Sequence, residues 1–239
     1  MKTIFFTFDM DWAIDEVLDD FYQLIKQVDI VGTIHITHQT RFIDLFRKEK
    51  YLEIGVHPNY NTLLFDKGGG SIETVLSEIK EIVPEAICCR SHALTASSVI
   101  DGYYKKYGIK YDLNYYIPAM EGLRIYPFKS SIGDFVRIPF IYEDDLYLNE
   151  GKPHCFKFYL GDSFDAVRVF NFHPIHLYLN TDSIDTYEKA RPYFKNHTML
   201  KKCKNQKNYG IRDFFLDLVT FAKQEGYISK KIAEGEWNE

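Results

Sequence analysis

The sequence predicts an α/β fold in which mostly parallel strands, each followed by a helix, form a distorted barrel. Short apolar runs alternate with amphipathic runs of helical spacing from residue 3 to residue 92, and this alternation is typical of parallel sheets. Polar side chains follow almost every predicted strand, as they do at the carboxyl ends of barrel strands. Because 239 residues suit one such unit, we expect a single domain over residues 1–239.

The elements are predicted in chain order from their side-chain patterns. Residues 3–8 form a buried strand, since β-branched and aromatic side chains dominate that run. Residues 15–27 form a helix, because Val17, Phe21 and Leu24 recur on one face. Ser71 is expected to cap a later helix. Strands are also predicted over 31–37, 51–57, 86–92, 109–116, 136–143 and 166–174, and helices over 40–50, 71–82, 96–107 and 211–227.

Composition excludes several classes of function. The chain has 29 basic and 34 acidic residues, a net charge of −5, and no long basic run, so nucleic acid is not an expected partner. No run of about 18 apolar residues is present, so no transmembrane segment is expected. Asp9 interrupts the first apolar run too early for a signal peptide, and the four cysteines lack disulfide or zinc-ribbon spacing. We therefore expect a cytoplasmic protein.

Side chains that carry out proton transfer or bind metals recur after the predicted strands. In a parallel barrel these positions converge on one face, so residues far apart in sequence are expected to share a site. In chain order they are Asp9 and Asp11, His38, His57, Arg90 and His92, the acidic run Glu143–Asp145, and His173 with His176.

The order of these pieces resembles the polysaccharide deacetylase (NodB-homology) family of carbohydrate esterases. FTFDMDW (6–12) looks like the acidic first motif of the family, and IHIT (34–37) with LEIGVHPNYN (52–61) looks like its second strand and metal motif. CRSH (89–92) looks like the arginine motif, and VFNFHPIH (169–176) looks like the late strand that carries a histidine acid. The resemblance covers residues 3–176 and implies a divergent member with a NodB-type barrel.

The resemblance also implies a role for each matching residue. Asp9 would be the general base, and Asp11 and His57 would bind a divalent metal ion. Arg90 would keep the base ionised by charge pairing, and His173 would protonate the leaving group. A carboxylate with imidazoles favours zinc, with cobalt, nickel or manganese as alternatives.

Two departures from the family pattern leave alternatives open. Met10 separates two acids that are normally adjacent, so either the strand ends before Asp11 or the two acids exchange roles. Asn61 stands where the family has its second metal histidine. His92 is the first candidate for the third ligand, and the alternatives are Asn61, His173 and His176. Asp145 is a further candidate for substrate or metal binding.

Other residues receive structural or peripheral interpretations. His35, His154 and His197 are interpreted as structural or exposed. The 19 phenylalanines and 18 tyrosines are expected mainly to fill the core. Five tyrosines lie beside predicted strand ends, where their rings could stack on a sugar: Tyr60, Tyr115, Tyr116, Tyr142 and Tyr178.

The predicted function is removal of an acetyl group from an N-acetylated sugar or a surface-polysaccharide precursor. One alternative is a hydrolase that cleaves carbon–nitrogen bonds in other amides with the same machinery. A second is a catalytically inactive carbohydrate-binding domain of the same fold, which the asparagine at position 61 motivates. A glycosidase with paired acids explains less, because it leaves His57 and Arg90 without roles.

Overall fold

A computed structural model describes residues 2–65, 70–118, 123, 125–130, 133–150, 160 and 167–237. Its strands are β1 (Thr3–Asp9), β2 (Gly32–Ile36), β3 (Leu52–Val56), β4 (Cys88–Cys89), β5 (Tyr111–Asp112), β6 (Tyr126–Ser130), β7 (Gly133–Arg137), β8 (Tyr142–Glu143), β9 (Val169–Phe172) and β10 (Ile228–Ser229). Its helices are α1 (Asp15–Val28), α2 (Phe42–Lys48), α3 (Asn61–Leu64), α4 (Ile72–Ile82), α5 (Ser98–Tyr104), α6 (Asp144–Glu150), α7 (Pro174–Leu179), α8 (Ile184–Ala190), α9 (His197–Lys202) and α10 (Ile211–Gln224).

The strands form one curled sheet in the order β6-β7-β5-β4-β3-β2-β1-β9-β8, and β10 pairs with the start of β1. Every pairing along this path is parallel except that between β6 and β7. The sheet and its helices form a half-barrel, which confirms the predicted distorted α/β barrel. The parallel register brings the carboxyl ends of β1, β2, β3 and β9 to the same edge.

Three of the predicted strands differ clearly from the observed ones, and one of these, over 86–92, shortens to the two residues of β4. The single strand predicted over 136–143 is wrong, because the chain leaves β7 at Arg137 and resumes as β8 at Tyr142. β7 pairs with β5, whereas β8 pairs with β9 on the other side of the half-barrel. Pro139 lies between them, where its missing N–H suits a break in the ladder. The strand predicted over 109–116 shortens to the two residues of β5.

Aromatic side chains fill the layer between β1, β9 and the helices. Phe8 lies 4.8 Å from Phe21 of α1 and 6.1 Å from Phe215 of α10, measured between ring centroids. Phe172 of β9 packs against the same Phe215 at 5.0 Å. Burial of each such ring contributes about 1.5–3 kcal/mol, so this cluster fixes α1 and α10 against the sheet.

Three of the tyrosines predicted at the rim lie in the core instead. Tyr60, Tyr142 and Tyr178 are only 1%, 0% and 4% exposed. Tyr142 stacks on Phe214 of α10 at 4.7 Å, which shows that its ring points into the helix layer. The stacking role predicted for these three rings is therefore wrong, because nearness to a strand end in sequence does not fix the face that a side chain takes.

A glycine in β3 makes room for a histidine in β2. A Cβ atom added to Gly55 would lie 2.5 Å from Cδ2 of the His35 ring and 3.1 Å from the carbonyl oxygen of Cys88. Backbone and a fully buried ring cannot both move aside at low cost. Position 55 therefore requires glycine for packing.

We expect Gly55→Ala to lower the free energy of unfolding by about 1–3 kcal/mol, the usual cost of overpacking. The matched control is Gly102→Ala in the exposed part of α5, where an added Cβ meets nothing within 4 Å. That variant should be neutral or slightly stabilising, since alanine is the better helix former. Urea denaturation of both variants tests this, and equal stabilities would contradict it.

Candidate active site

Side chains from six segments meet in a cavity of about 520 Å³ at the carboxyl ends of the strands. The residues that line it include Asp9, Asp11, His57, His92, Glu143 and His173. The structure therefore brings together most of the residues that the sequence singles out. Asp9 and His173 lie 164 positions apart in the chain, and they share this space because the parallel strands end at one edge.

Asp11, His57 and His92 direct their ligand atoms toward one another. Asp11 Oδ1 lies 3.1 Å from His57 Nε2 and 3.3 Å from His92 Nδ1. Ligand atoms on a tetrahedral zinc ion with bonds of about 2.0–2.1 Å are separated by about 3.3 Å. Asp11 Oδ1 and His57 Nε2 are buried and have no hydrogen-bond partner in the described chain. The donor set therefore fits a divalent metal ion.

A left-handed turn places Asp11 in this cluster. β1 ends at Asp9, and Asp11 and Trp12 have φ values of 41° and 53°. The Met10 N–H still donates to the carbonyl of His35 at 3.1 Å, so the pairing with β2 reaches Met10 and the left-handed residues then turn Asp11 out of the line of the strand. Of the two alternatives left by the inserted Met10, the structure shows the one in which the strand ends before Asp11.

Backbone contacts between loops position the histidines. His57 extends β3, since its N–H donates to the carbonyl of Ile36 at 2.8 Å. His92 begins a 3-10 turn after β4, and its N–H donates to the carbonyl of Pro58 at 2.9 Å. A hydrogen bond thus joins the loop that follows β3 to the loop that follows β4, and the ring centroids of His57 and His92 lie 5.6 Å apart.

Asp9 lies beneath the cluster as a buried, fully paired carboxylate. Its Oδ1 accepts from Arg90 Nη1 at 3.1 Å and contacts His35 Nδ1 at 2.9 Å. Its Oδ2 accepts from Asn171 Nδ2 at 2.8 Å. Burial favours the neutral acid, but the charges of Arg90 and His57 and the contact with His35 outweigh it and hold the pKa of Asp9 well below its usual value. Asp9 is therefore ionised at neutral pH.

His173 is held by one carboxylate and faces two others. Asp144 contacts His173 Nδ1 at 2.6 Å and accepts the His173 backbone N–H at 2.7 Å. His173 Nε2 lies 3.5 Å from Asp11 Oδ2 and 3.8 Å from Asp145 Oδ2. Burial disfavours the imidazolium, yet the negative charges of Asp145 and Asp144 raise the pKa of His173 well above its usual value. The ring is therefore protonated and can donate a proton into the cavity.

The remaining predicted residues take different places. Asp145 lines the cavity and forms an ion pair with His176, whose Nδ1 contacts Thr181 Oγ1 at 2.9 Å. Asn61 is not among the described residues that line the cavity, because α3 begins there and its N–H donates to Asn59 Oδ1 at 2.9 Å. The structure therefore does not bring Asn61 into the ligand cluster.

Two residues of the site, His35 and Asn171, escape sequence reasoning. His35 and Asn171 lie inside β2 and β9, where they read as core positions, yet both contact Asp9. The sequence signal that could have identified both residues is a polar side chain inside an otherwise apolar, buried strand. A carboxylate oxygen of Glu143, from the acidic run in the sequence, lies within 4.8 Å of a carboxylate oxygen of Asp9 and of a ring nitrogen of His173.

Two other histidines lie away from the site as described. His197 is partly buried in α9 outside the cavity, and His154 lies outside the described residues.

Comparison with known proteins identifies the family. The sequence profile of the WbmS-like polysaccharide deacetylases matches residues 6–191. This chain belongs to the WbmS-like polysaccharide deacetylase family. A solved structure from Bordetella bronchiseptica, assigned as a polysaccharide deacetylase involved in O-antigen biosynthesis, is 33% identical with a TM-score of 0.84, and the match covers 91% of this chain and 90% of that one.

Two more distant structures share only the fold with this deacetylase-family chain. A CE4 esterase from Streptococcus mutans has a TM-score of 0.51 at 13% identity, covering 96% of this chain and 85% of that one. The 4-alpha-glucanotransferase from Thermococcus litoralis has a TM-score of 0.58 at 13% identity, covering 98% of this chain and 38% of that one. A search of curated proteins gives no match. None of the helices in the described ranges combines the length and apolar character of a membrane span.

The ligand cluster predicts direct metal binding. We expect the purified protein to bind about one equivalent of zinc, and His57→Ala and His92→Ala to bind less than about 0.1 equivalent, since each removes one of three ligands. His197→Ala is the matched control and should bind metal like the wild type. Elemental analysis after dialysis against zinc measures this. Full occupancy in His57→Ala would contradict the assigned cluster.

Glu143 predicts a pH-dependent stability. Burial is the main cause that raises its pKa from 4.5 to about 8, and the nearby charge of Asp9 adds to it. Between these values the folded state holds a proton that the unfolded chain releases, so unfolding free energy falls as pH rises, by up to about 1.4 kcal/mol per pH unit. Glu143→Gln should remove this fall.

The measurement is urea unfolding of metal-free protein at pH 5, 6 and 7. The stability of Glu143→Gln relative to wild type should increase steadily over that range. Glu188→Gln, an exposed carboxyl on the same cavity rim, should keep a constant difference from wild type. A constant difference for Glu143→Gln as well would mean that Glu143 is ionised in the folded protein.

Proposed function

We propose that this chain is a metal-dependent deacetylase that removes the acetyl group from an N-acetylated sugar of a surface-polysaccharide precursor. The observation that supports it most is the convergence of Asp11, His57 and His92 beside a separate, buried Asp9 and a protonated His173. This arrangement supplies a metal site, a base and an acid within one cavity. The family match supports a hydrolase that acts on a carbon–nitrogen bond.

Each residue of the proposed mechanism has a distinct task. Asp11, His57 and His92 would hold the ion, preferably zinc, with cobalt, nickel or manganese as alternatives. When bound, a divalent ion polarises the acetyl carbonyl and lowers the pKa of water. Asp9 accepts a proton from the water that attacks the acetyl carbon, and Arg90 keeps Asp9 ionised before the attack.

The second half of the reaction breaks the carbon–nitrogen bond. His173 donates its proton to the departing nitrogen, so the products are acetate and a free amine. Asp144 holds the His173 ring by Nδ1 and leaves Nε2 facing the cavity. Because Asp144 also accepts the backbone N–H of His173, the ring orientation is fixed at two points.

The relative from Bordetella bronchiseptica supports the substrate class, since it is assigned to O-antigen biosynthesis. A surface-polysaccharide precursor that carries an N-acetyl group is accordingly our proposed substrate. We further propose that residues 1–239 act as one catalytic domain. The family profile over 6–191 and the 91% structural coverage support this.

The division of roles between the two aspartates gives a sharp test. Asp9→Asn should retain about one equivalent of metal but lose acetate release by about 10²–10⁴-fold, the usual contribution of a general base. Asp11→Asn should lose both metal and activity, because an amide oxygen is a poorer ligand for zinc. The assay measures acetate release from a panel of N-acetylated sugars, with metal content determined on the same samples.

His197→Ala serves as the control for both readouts and should behave as wild type. If Asp9→Asn loses its metal while Asp11→Asn keeps it, the two roles are exchanged. Acetate release that survives in both variants and after chelation would refute the mechanism. Activity only on non-sugar amides would move the function to another carbon–nitrogen hydrolase, and metal binding without hydrolysis would favour a binding domain.

A further inference from the structure

We propose that a second cavity beside the active site binds the neighbouring sugar of an oligosaccharide substrate, with Trp12 as its stacking platform. This cavity has a volume of about 390 Å³ and is separate from the cavity that holds Asp9 and Glu143. The inference rests on the proposed deacetylase function. It names the substrate as a chain of sugars that extends beyond the acetylated unit.

The two cavities meet at the metal cluster. His57 lines both of them, so the two cavities share a residue of the cluster. His92 lines the first cavity, and Trp12, which lines the second, contacts the His92 ring edge-on at 5.0 Å between centroids. A ligand that continued past the acetyl group in this direction would therefore meet the Trp12 ring next.

Trp12 is exposed in a backbone conformation that bulky residues seldom adopt. Its side chain is 44% exposed, although a tryptophan ring is usually among the most buried surfaces of a domain. Its φ of 53° follows the 41° of Asp11, and its backbone N–H donates to Thr37 Oγ1 at 3.1 Å. One turn therefore sets both the metal ligand and the exposed ring, which couples the position of the platform to that of the cluster.

The chemistry of the second cavity suits an uncharged, hydroxylated ligand. Its described lining includes the polar side chains of Thr37, His38, Gln39 and Asn59 and contains no lysine or arginine. Burial lowers the pKa of His38, so that ring is neutral at pH 7. Glu78 is the one carboxylate among the described lining residues, and it disfavours a phosphate.

Apolar side chains of α4 also line the cavity. Val75, Ile79 and Ile82 line it together with Pro58. A sugar ring has hydroxyl groups around its edge and C–H groups on its faces, so it matches a cavity that is lined by both polar and apolar side chains. A neighbouring sugar fits this lining better than a nucleotide or a lipid phosphate.

The two tryptophans of the chain allow a direct test. Trp237 is buried at 4% exposure and packs on Phe5 at 4.8 Å, so Trp237→Phe leaves Trp12 as the single tryptophan. We expect the fluorescence of this variant to change on addition of the β-1,4-linked tetramer of N-acetylglucosamine and not with the monosaccharide. In the matched variant Trp12→Phe, the remaining Trp237 should respond to neither sugar.

Kinetics provide the second readout. The wild type should show a kcat/KM at least about tenfold higher for the tetrasaccharide than for the monosaccharide, equivalent to about 1.4 kcal/mol. Trp12→Ala should reduce this ratio to less than about threefold, and Trp12→Phe should restore most of it. The ratio within each variant is compared, because Trp12 also touches His92.

The outcomes separate the second cavity from the proposed function. If acetate is released with equal kcat/KM from both sugars and the Trp12 fluorescence does not respond, the sugar-binding role of the second cavity is refuted and the proposed deacetylase function is retained. A Trp12 response to the tetrasaccharide without acetate release supports the cavity and overturns the deacetylase. A response of equal size to both sugars, or to neither, overturns the cavity whatever the activity.

Discussion

The ion pair between Asp9 and Arg90 is the interaction on which the site depends. Both side chains are essentially inaccessible to water, at 1% and 0% exposure. Removal of two charges from water costs several kcal/mol per ion, and only complete pairing and hydrogen bonding offset it. His35 from β2 and Asn171 from β9 complete the pairing of the carboxylate, whereas Arg90 Nη2 is buried without a hydrogen-bond partner in the described chain. The carboxylate thus fixes the relative positions of the strand ends that surround the cavity.

The same interaction separates a buried, paired carboxylate from one that faces the histidine cluster. Both oxygens of Asp9 are occupied by protein donors, whereas Asp11 directs Oδ1 toward His57 and His92 without a hydrogen-bond partner in the described chain. The turn after β1 creates this difference, because its left-handed residues redirect Asp11 above the buried acid. Two aspartates two positions apart therefore acquire environments that suit a base and a metal ligand.

Sequence predicted the parts of the site that follow strands and missed the parts inside them. His57, Arg90 and His173 each end an apolar run, so topology alone brings them together. His35 belongs to β2 itself, and only the pairing of Asp9 with His35 in the parallel register, together with the space at Gly55, shows its role. The fold was predictable from strand and helix alternation, whereas the break at Pro139 depended on which strands pair.

The carboxyl groups in the cavity differ in charge because each has different neighbours, which shift its pKa in different directions. His173 and His176 draw the pKa of Asp145 down to about 2 against the effect of burial, while Glu143, which burial dominates, is raised to about 8. Asp9 and Asp145 are therefore anionic at pH 7 while Glu143 is neutral. The negative charges of Asp145, Asp144 and Asp11 stabilise the protonated His173, whereas the neutral Glu143 adds no charge. Burial of Glu143 thereby limits the negative charge that Asp11 and its histidines must accommodate without a metal ion.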